Sequence, residues 1–332
     1  MHLVLGLALY LIKYKKTVSK IKIMGKLISS VIQAFIGFTN KSLVKNLIVI
    51  TLCITFFFVQ VFYPYSYYAS GIRKPNSTFQ VGIHYVYEQD SLDQIYEEVA
   101  RIHDLGFKVI RINLEYNPVD YNDTMNQKTD MFFSATDNYG LAVALAIQNL
   151  DTFDQVNYYL DRWGSHLKYI QVLNEPELSS SWDVGALFTD DEITSKFEIM
   201  YETVKSHNLS VELYTNFGIG YIIRSNVPIE LSKKLDFVGL DIFMDAFLVL
   251  SPHFIQNLQK ITQKDVIITE LGMSTIDSVA QTDFIIRGLN LFKSIGLKGC
   301  WLVYWNSQFD KYGIRDRPAE KAVGEWIAQN AN

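Results

Sequence analysis

Tyr169-Ile170-Gln171-Val172-Leu173-Asn174-Glu175-Pro176 and, farther along the chain, Val266-Ile267-Ile268-Thr269-Glu270 share one pattern: a short aliphatic run that ends on a glutamate. A continuous run of Val, Ile and Leu without polar alternation reads as a strand covered on both faces, the kind found in parallel sheets. A carboxylate placed where such a strand ends leaves the apolar core and points into a cleft. The rest of the chain shows how many such strands there are and what else stands at their ends.

From Phe79 onward, short apolar runs alternate with helical patterns. The strands read as Phe79–Tyr85, Val109–Leu114, Leu141–Ile147, Tyr169–Leu173, Val211–Thr215, Phe237–Ile242, Val266–Thr269 and Gly299–Tyr304. Helical patterns follow over Leu92–Leu105, within Asp123–Asn138, and over Thr152–Trp163, Asp190–His207, Pro252–Thr262, Ser278–Ile295 and Ala319–Gln329. Gly106, Gly140 and Gly164 are placed to stop three of them, and Thr189 with Glu192 forms a capping-box pattern. Between Thr215 and Leu235 the reading is irregular. Eight strand–helix units in about 250 residues match the (β/α)8 TIM barrel in count and length, with the active site expected at the carboxyl ends of the strands.

Charge divides the chain of 332 residues unevenly. Residues 1–87 hold ten Lys/Arg and no acid; the other 20 Lys/Arg and all 35 Asp/Glu follow, so the later part carries a net charge of −15. Nucleic acid is therefore not an expected partner, because binding phosphates needs a basic face. A neutral polymer such as a polysaccharide is compatible with it. Histidines are scattered singly, and Cys53 and Cys300 are not expected to pair, so no metal site and no cofactor is expected.

Leu47–Tyr63 is free of charge within an uncharged stretch that runs from Asn46 to Ile72. As a helix it is about 25 Å long, near the thickness of a hydrocarbon layer, and tyrosines 63, 65, 67 and 68 follow as an interfacial belt. Eight lysines precede it. The expected organisation is a cytoplasmic basic segment over 1–45, a transmembrane anchor over 46–72 and an extracellular (β/α)8 domain over 73–332. Cleavage of this segment as a signal peptide near Ala69-Ser70-Gly71, giving a secreted protein, is the alternative.

The expected strand ends carry His84, Arg111, Glu115, Asn149, Asn174, Glu175, Tyr214, Asn216, Asp241, Glu270 and Trp305. Amides and charged groups hydrogen-bond hydroxyls, and aromatic faces stack on the C–H side of a sugar ring. In this set, Asn174-Glu175-Pro176 on strand four, Glu270 on strand seven, Arg111 on strand two and Tyr304-Trp305 on strand eight resemble the retaining glycoside hydrolases of clan A, among them the family 5 cellulases and mannanases. The resemblance covers about residues 79–330. It implies Glu175 as acid/base, Glu270 as nucleophile and Asn174 as donor to the sugar 2-hydroxyl. Arg111, Trp305, His84, Asn149 and Asp241 are further candidate contacts to a β-linked oligo- or polysaccharide. Burial beside a second carboxylate is expected to hold a proton on Glu175, and a nearby Arg111 to keep Glu270 ionised.

Two departures leave the family within the clan open. Family 5 members commonly place His-x-Tyr near the end of strand six, where this chain has Asp241-Ile242-Phe243; strand three ends in Gln148-Asn149 where a histidine is often found. The loops Pro118–Met131, Leu178–Phe188 with Trp182, and Phe243–Ser251 are the expected walls of the cleft. Two other readings stand beside hydrolysis: a transglycosylase of the same mechanism, and a non-catalytic carbohydrate-binding protein of the cell envelope on the same barrel.

Overall fold

In a computed structural model of the chain, the described residues are 78–114, 123–148, 152–175, 190–218, 229–306 and 311–330. All of them belong to one compact unit, Pro64–Asn332. The expected anchor over 46–72 lies outside the described residues, among which no helix is long and apolar enough to cross a membrane.

Eight parallel strands close into a barrel in sequence order: β1 (Gln80–His84), β2 (Val109–Leu114), β3 (Ala142–Ile147), β4 (Leu167–Gln171), β5 (Glu212–Gly218), β6 (Phe237–Ile242), β7 (Asp265–Leu271) and β8 (Gly299–Leu302), with β8 paired back onto β1. The helices are α1 (Leu92–Asp104), α2 (Asp123–Tyr139), α3 (Phe153–Trp163), α4 (Asp190–Ser206), α5 (Ile229–Lys234), α6 (Asp245–Thr262), α7 (Ser278–Ser294) and α8 (Pro318–Asn330). Ser91 and Thr152 start α1 and α3 with capping boxes closed by Gln94 and Gln155. Gly106 and Gly140 end α1 and α2 with positive φ, the backbone state that glycine enters without steric cost.

Several elements differ from the sequence reading. The stretch before Leu235 contains the short helix α5. The helix expected to begin at Pro252 begins at Asp245, so residues 245–251 are helix and not a cleft loop; likewise Asp123–Met131 belongs to α2. Pro252 lacks the N–H that would bond the Leu248 carbonyl, and the Ser251 hydroxyl donates to that carbonyl instead, at 2.7 Å. A proline can thus sit within α6 because its neighbour repairs the ladder.

Along each strand, alternate side chains point to the barrel axis and to the helices. Near the amino-terminal end, Val109, Ala144, Tyr169, Tyr214, Phe237, Ile267 and Trp301 pack together as the barrel interior. Gly82 makes room for Trp301, since a Cβ there would stand 2.5 Å from its ring. This apolar plug forms a floor, and the next inward-facing residues of the same strands form the site.

Candidate active site

One step above Val109, Tyr169, Tyr214 and Phe237 on their strands, the inward positions hold Arg111 on β2, Gln171 on β4, Asn216 on β5 and, above Gly239, Asp241 on β6. Arg111 is the hub and is 1 % exposed. Its Nη1 meets Glu270 Oε1 at 2.9 Å, Nη2 donates to Asn174 Oδ1 at 2.9 Å, and Nε donates to Gln171 Oε1 at 3.2 Å. A planar guanidinium directs its donors in a fixed fork, so one side chain sets the places of strand seven, strand four and the turn beyond it.

Glu270 reaches this hub through an irregularity in β7. The pairing of β6 with β7 shifts between Leu240 and Asp241: Leu240 lies opposite Ile268, but Asp241 lies opposite Glu270. The extra residue is Thr269. Ile267 belongs to the interior plug, while Ile268 and Leu271 belong to the core under the helices. Between them, both Thr269 and Glu270 meet inward-facing partners, Asp241 and Arg111. A bulge turns two successive side chains to one face, a device often found beside active sites.

Asn216 is fully engaged. Its Oδ1 accepts from Gln171 Nε2 at 2.6 Å and from the Glu175 backbone N–H at 2.8 Å, while its Nδ2 donates to Asn174 Oδ1 at 3.0 Å and Asp241 Oδ2 at 2.5 Å. That uses both donors and both acceptor sites of a carboxamide. Asn174 Oδ1 in turn accepts from Arg111, Gln171 and Asn216, which fixes the amide with its oxygen toward the hub and its NH2 directed away from it. Glu175 sits on the bend after β4 with φ 37°, a left-handed conformation that costs a non-glycine residue on the order of 1 kcal/mol. The bond from its N–H to Asn216 helps to hold it there.

The electrostatics follow from burial. Desolvation is the largest influence on Glu270 and lifts its carboxyl above the ordinary range, against the pull of Arg111. Removal from water thus outweighs the nearby guanidinium. Glu270 nevertheless remains the counter-ion of a buried guanidinium at 2.9 Å, a contact that favours its ionised form. Burial by itself would lower Arg111, but Glu270, Tyr214 and Asp241 more than offset it and its pKa is raised. Asp241 is driven well above the usual carboxylate range by burial first, then by Glu270 and Glu175. His84 is driven well below the ordinary histidine range by burial and then by Arg111, so it is neutral.

Of the residues expected at the strand ends, Arg111, Asn174, Glu175, Asp241 and Glu270 come together at one mouth. Asn149, Glu115, Trp182 and the loop Leu178–Phe188 lie outside the described residues. Trp305 is a correction: it is 0 % exposed and faces the helix layer, with Nε1 donating to Glu98 Oε2 at 2.6 Å and Arg101 over its ring. Strict alternation from the inward Trp301 would have turned Trp305 inward, but β8 ends at Leu302 and the chain bends, binding Trp305 N–H to His84 O at 2.7 Å. Half-buried Tyr304 takes the inward place and packs on His84 with ring centroids 4.7 Å apart. His84 is corrected too: buried, with Nδ1 toward Arg111 at 3.5 Å and a backbone bond to Val303, it lies beneath the mouth and braces Arg111. Asp241 has both oxygens occupied by Asn216 and Thr269 and is 2 % exposed, so it too stands behind the surface of the site. Gln171 and Thr269 were legible only as strand residues, because their polarity inside apolar runs was the one signal they gave. Among the described residues no group of histidines, cysteines and acids could hold a metal ion.

No protein-family model matches the chain, and no curated protein matches it. Solved structures do. An endo-1,4-β-D-mannanase from Thermotoga petrophila RKU-1 is 13 % identical, with a TM-score of 0.56 over 76 % of this chain and 99 % of that one. Thermotoga maritima Cel5A, solved with mannotriose, is 14 % identical, with a TM-score of 0.54 over 75 % of this chain and 97 % of that one. An intracellular xylanase from Thermoanaerobacterium saccharolyticum, solved with xylotetraose, is 14 % identical, with a TM-score of 0.51 over 74 % and 95 %. These neighbours are glycoside hydrolases of clan A, and at such identities the likeness shows that this chain has their fold, an eight-stranded parallel (β/α)8 barrel.

Proposed function

We propose that this protein is a retaining glycoside hydrolase that cleaves β-linked sugars. The observation that carries the reading is the buried pair that Arg111, within β2, makes with Glu270, near the carboxyl end of β7, joined through Asn174 to the turn that bears Glu175. A structural ion pair could lie anywhere in a barrel; this one lies at the mouth, where barrels do chemistry. Glu175 donates its proton to the glycosidic oxygen as the Glu270 carboxylate bonds to the anomeric carbon, and the aglycone leaves as an alcohol. Glu175, now a carboxylate, takes a proton from water, which attacks the same carbon and releases Glu270 with net retention. Retention calls for carboxyl groups about 5–5.5 Å apart. Asn174, with its oxygen held by three donors, presents its NH2 to the 2-hydroxyl.

The test is turnover of β-linked polysaccharides and aryl glycosides by the wild-type, Glu175→Gln and Glu270→Gln chains. Each variant is expected to lose about 10²-fold or more while remaining folded by circular dichroism, Glu270→Gln with a lowered melting temperature because buried Arg111 loses its partner, and a 2-fluoro sugar is expected to label Glu270 covalently. Normal turnover by either variant would falsify the assignment. Saturable sugar binding without turnover or labelling would instead favour a binding protein, and product analysis separates hydrolysis from transglycosylation. As a second part of the reading, the charge-free stretch 46–72 after a lysine-rich segment supports a single-pass membrane protein with the barrel outside the cell. Protease protection in intact cells tests it.

A further inference from the structure

Beneath the two glutamates lies a third buried carboxyl with no role in the double displacement. Asp241 Oδ1 accepts from the hydroxyl of Thr269 at 2.7 Å, and Thr269 is the bulge residue that aims Glu270. Asp241 Oδ2 accepts from Asn216 Nδ2 at 2.5 Å, and the other end of that amide holds the Glu175 backbone N–H. A continuous path therefore runs from the residue before Glu270, through Asp241 and Asn216, to the backbone of Glu175. Gly239 leaves the space for it: a Cβ there would stand 2.5 Å from Thr269 Oγ1 and 2.8 Å from Asn216 Cβ.

We propose that Asp241 is a positioning residue that sets the placement of Glu175 relative to Glu270 by tying the β7 bulge to the turn after β4. The inference rests on the hydrolase reading above and assigns it a part that touches no substrate. The groups that face Asp241 are Glu270 on β7, Glu175 beyond β4, Arg111 on β2, Thr269 on β7 and Asn216 on β5. Three carboxyls thus share one guanidinium, whose 2.9 Å partner is Glu270. Like charges so placed do not all ionise in a dry site, and burial with Glu270 and Glu175 drives the Asp241 carboxyl well above the usual carboxylate range. Asparagine is its neutral isostere: with its oxygen toward Asn216 and its NH2 toward Thr269, it keeps both bonds. Alanine keeps neither.

The test is steady-state kinetics of the full-length wild-type, Asp241→Ala and Asp241→Asn chains across pH. Asp241→Ala is expected to lower kcat 10- to 100-fold with KM within about 3-fold, because positioning acts on the transition state and not on ground-state binding. Asp241→Asn is expected to restore kcat to within about 3-fold of wild type with both limbs of the pH profile in place. Wild-type kcat in Asp241→Ala overturns the proposal, and so does a rise in KM alone, which would mark a substrate contact. If Asp241→Ala does not fold, Asp241→Asn decides: a 10-fold or greater loss in kcat overturns the proposal. If the wild-type chain turns over no sugar, the hydrolase reading fails. Asp241 is then judged from crystals of the alanine or asparagine variant, where the Glu175 turn is expected to move in the first and to stay in the second; the opposite result overturns the role.

Discussion

The charge balance of the mouth turns on Arg111. Its guanidinium is buried against Glu270, and a buried charge that loses its partner costs about 3–5 kcal/mol. Arg111→Met is therefore expected to lower unfolding free energy by about that amount and to abolish turnover, whereas Arg111→Met with Glu270→Gln should recover part of the stability and none of the activity. Chemical denaturation of the single and double variants checks it; additive losses would show that the two charges do not support each other. Tyr304 is the other residue to test. It occupies the inward place expected for Trp305, so Tyr304→Ala should raise KM about tenfold, equivalent to about 1.4 kcal/mol, with Tyr304→Trp close to wild type. At this scale the sequence displayed the charged members of the site clearly, because a glutamate or arginine set in an aliphatic run must either be paired or turn to a cleft. It did not display Tyr304 over Trp305, since which of two adjacent aromatics faces inward depends on where β8 stops, and the hydrogen bond from Trp305 to His84 settles that.

Elements carry two devices that single residues do not. The bulge at Thr269 turns two neighbouring side chains of β7 inward, and without it Glu270 would face the helix layer, where Leu271 now packs. Strand identity was plain from the run Val266–Thr269, but a bulge leaves no mark on hydrophobic pattern, so the link from Thr269 to Asp241 was invisible. The second device is the glycine opposite a large ring. Gly82 on β1 admits the Trp301 indole into the barrel floor, and a methyl group there meets ring atoms at 2.5 and 2.8 Å. Gly82→Ala is expected to cost about 1–3 kcal/mol through overpacking, read as a lower urea midpoint at unchanged slope; the double variant Gly82→Ala, Trp301→Phe should regain part of the loss. An unshifted midpoint would mean that the floor is loosely packed. Helix α6 teaches the complementary lesson: Pro252 read as a helix start because proline is at home there, and only the Ser251 hydroxyl on the Leu248 carbonyl explains why the helix begins seven residues earlier, at Asp245.

At the scale of the whole molecule, closure brings the first and last elements together, and polar contacts add to the apolar packing that locks them. Arg101 of α1 holds Glu320 of α8 and Asp316 before it, while Glu98 of α1 accepts from Trp305 and pairs with Arg315 beyond β8. The barrel itself was readable from eight spaced apolar runs; this clasp was not, because its members lie more than two hundred positions apart and look like ordinary surface charges in sequence. The same burial that shapes the site makes the stability of the whole chain depend on pH, and the sign can be worked out for Asp241. Its native pKa lies well above the unfolded value of 3.8, so between those two values the native state holds a proton that the unfolded chain has released. Stability from this group is therefore fully present below 3.8 and is lost as pH rises through the native pKa. Asp241→Asn removes that titration while keeping the shape. The difference in unfolding free energy between Asp241→Asn and wild type should grow in favour of the variant as pH climbs from 3.8, and level off once the native carboxyl ionises. His84 acts in the other sense: its native pKa is depressed below 6.5, so its contribution is present above 6.5 and lost as pH falls, and His84→Asn should lose less stability than wild type on acidification. Urea titrations at a series of pH values separate the two, because they slope in opposite directions. A flat difference curve for Asp241→Asn would mean that the carboxyl titrates alike in the native and unfolded chains, and that the closed barrel does not set its charge.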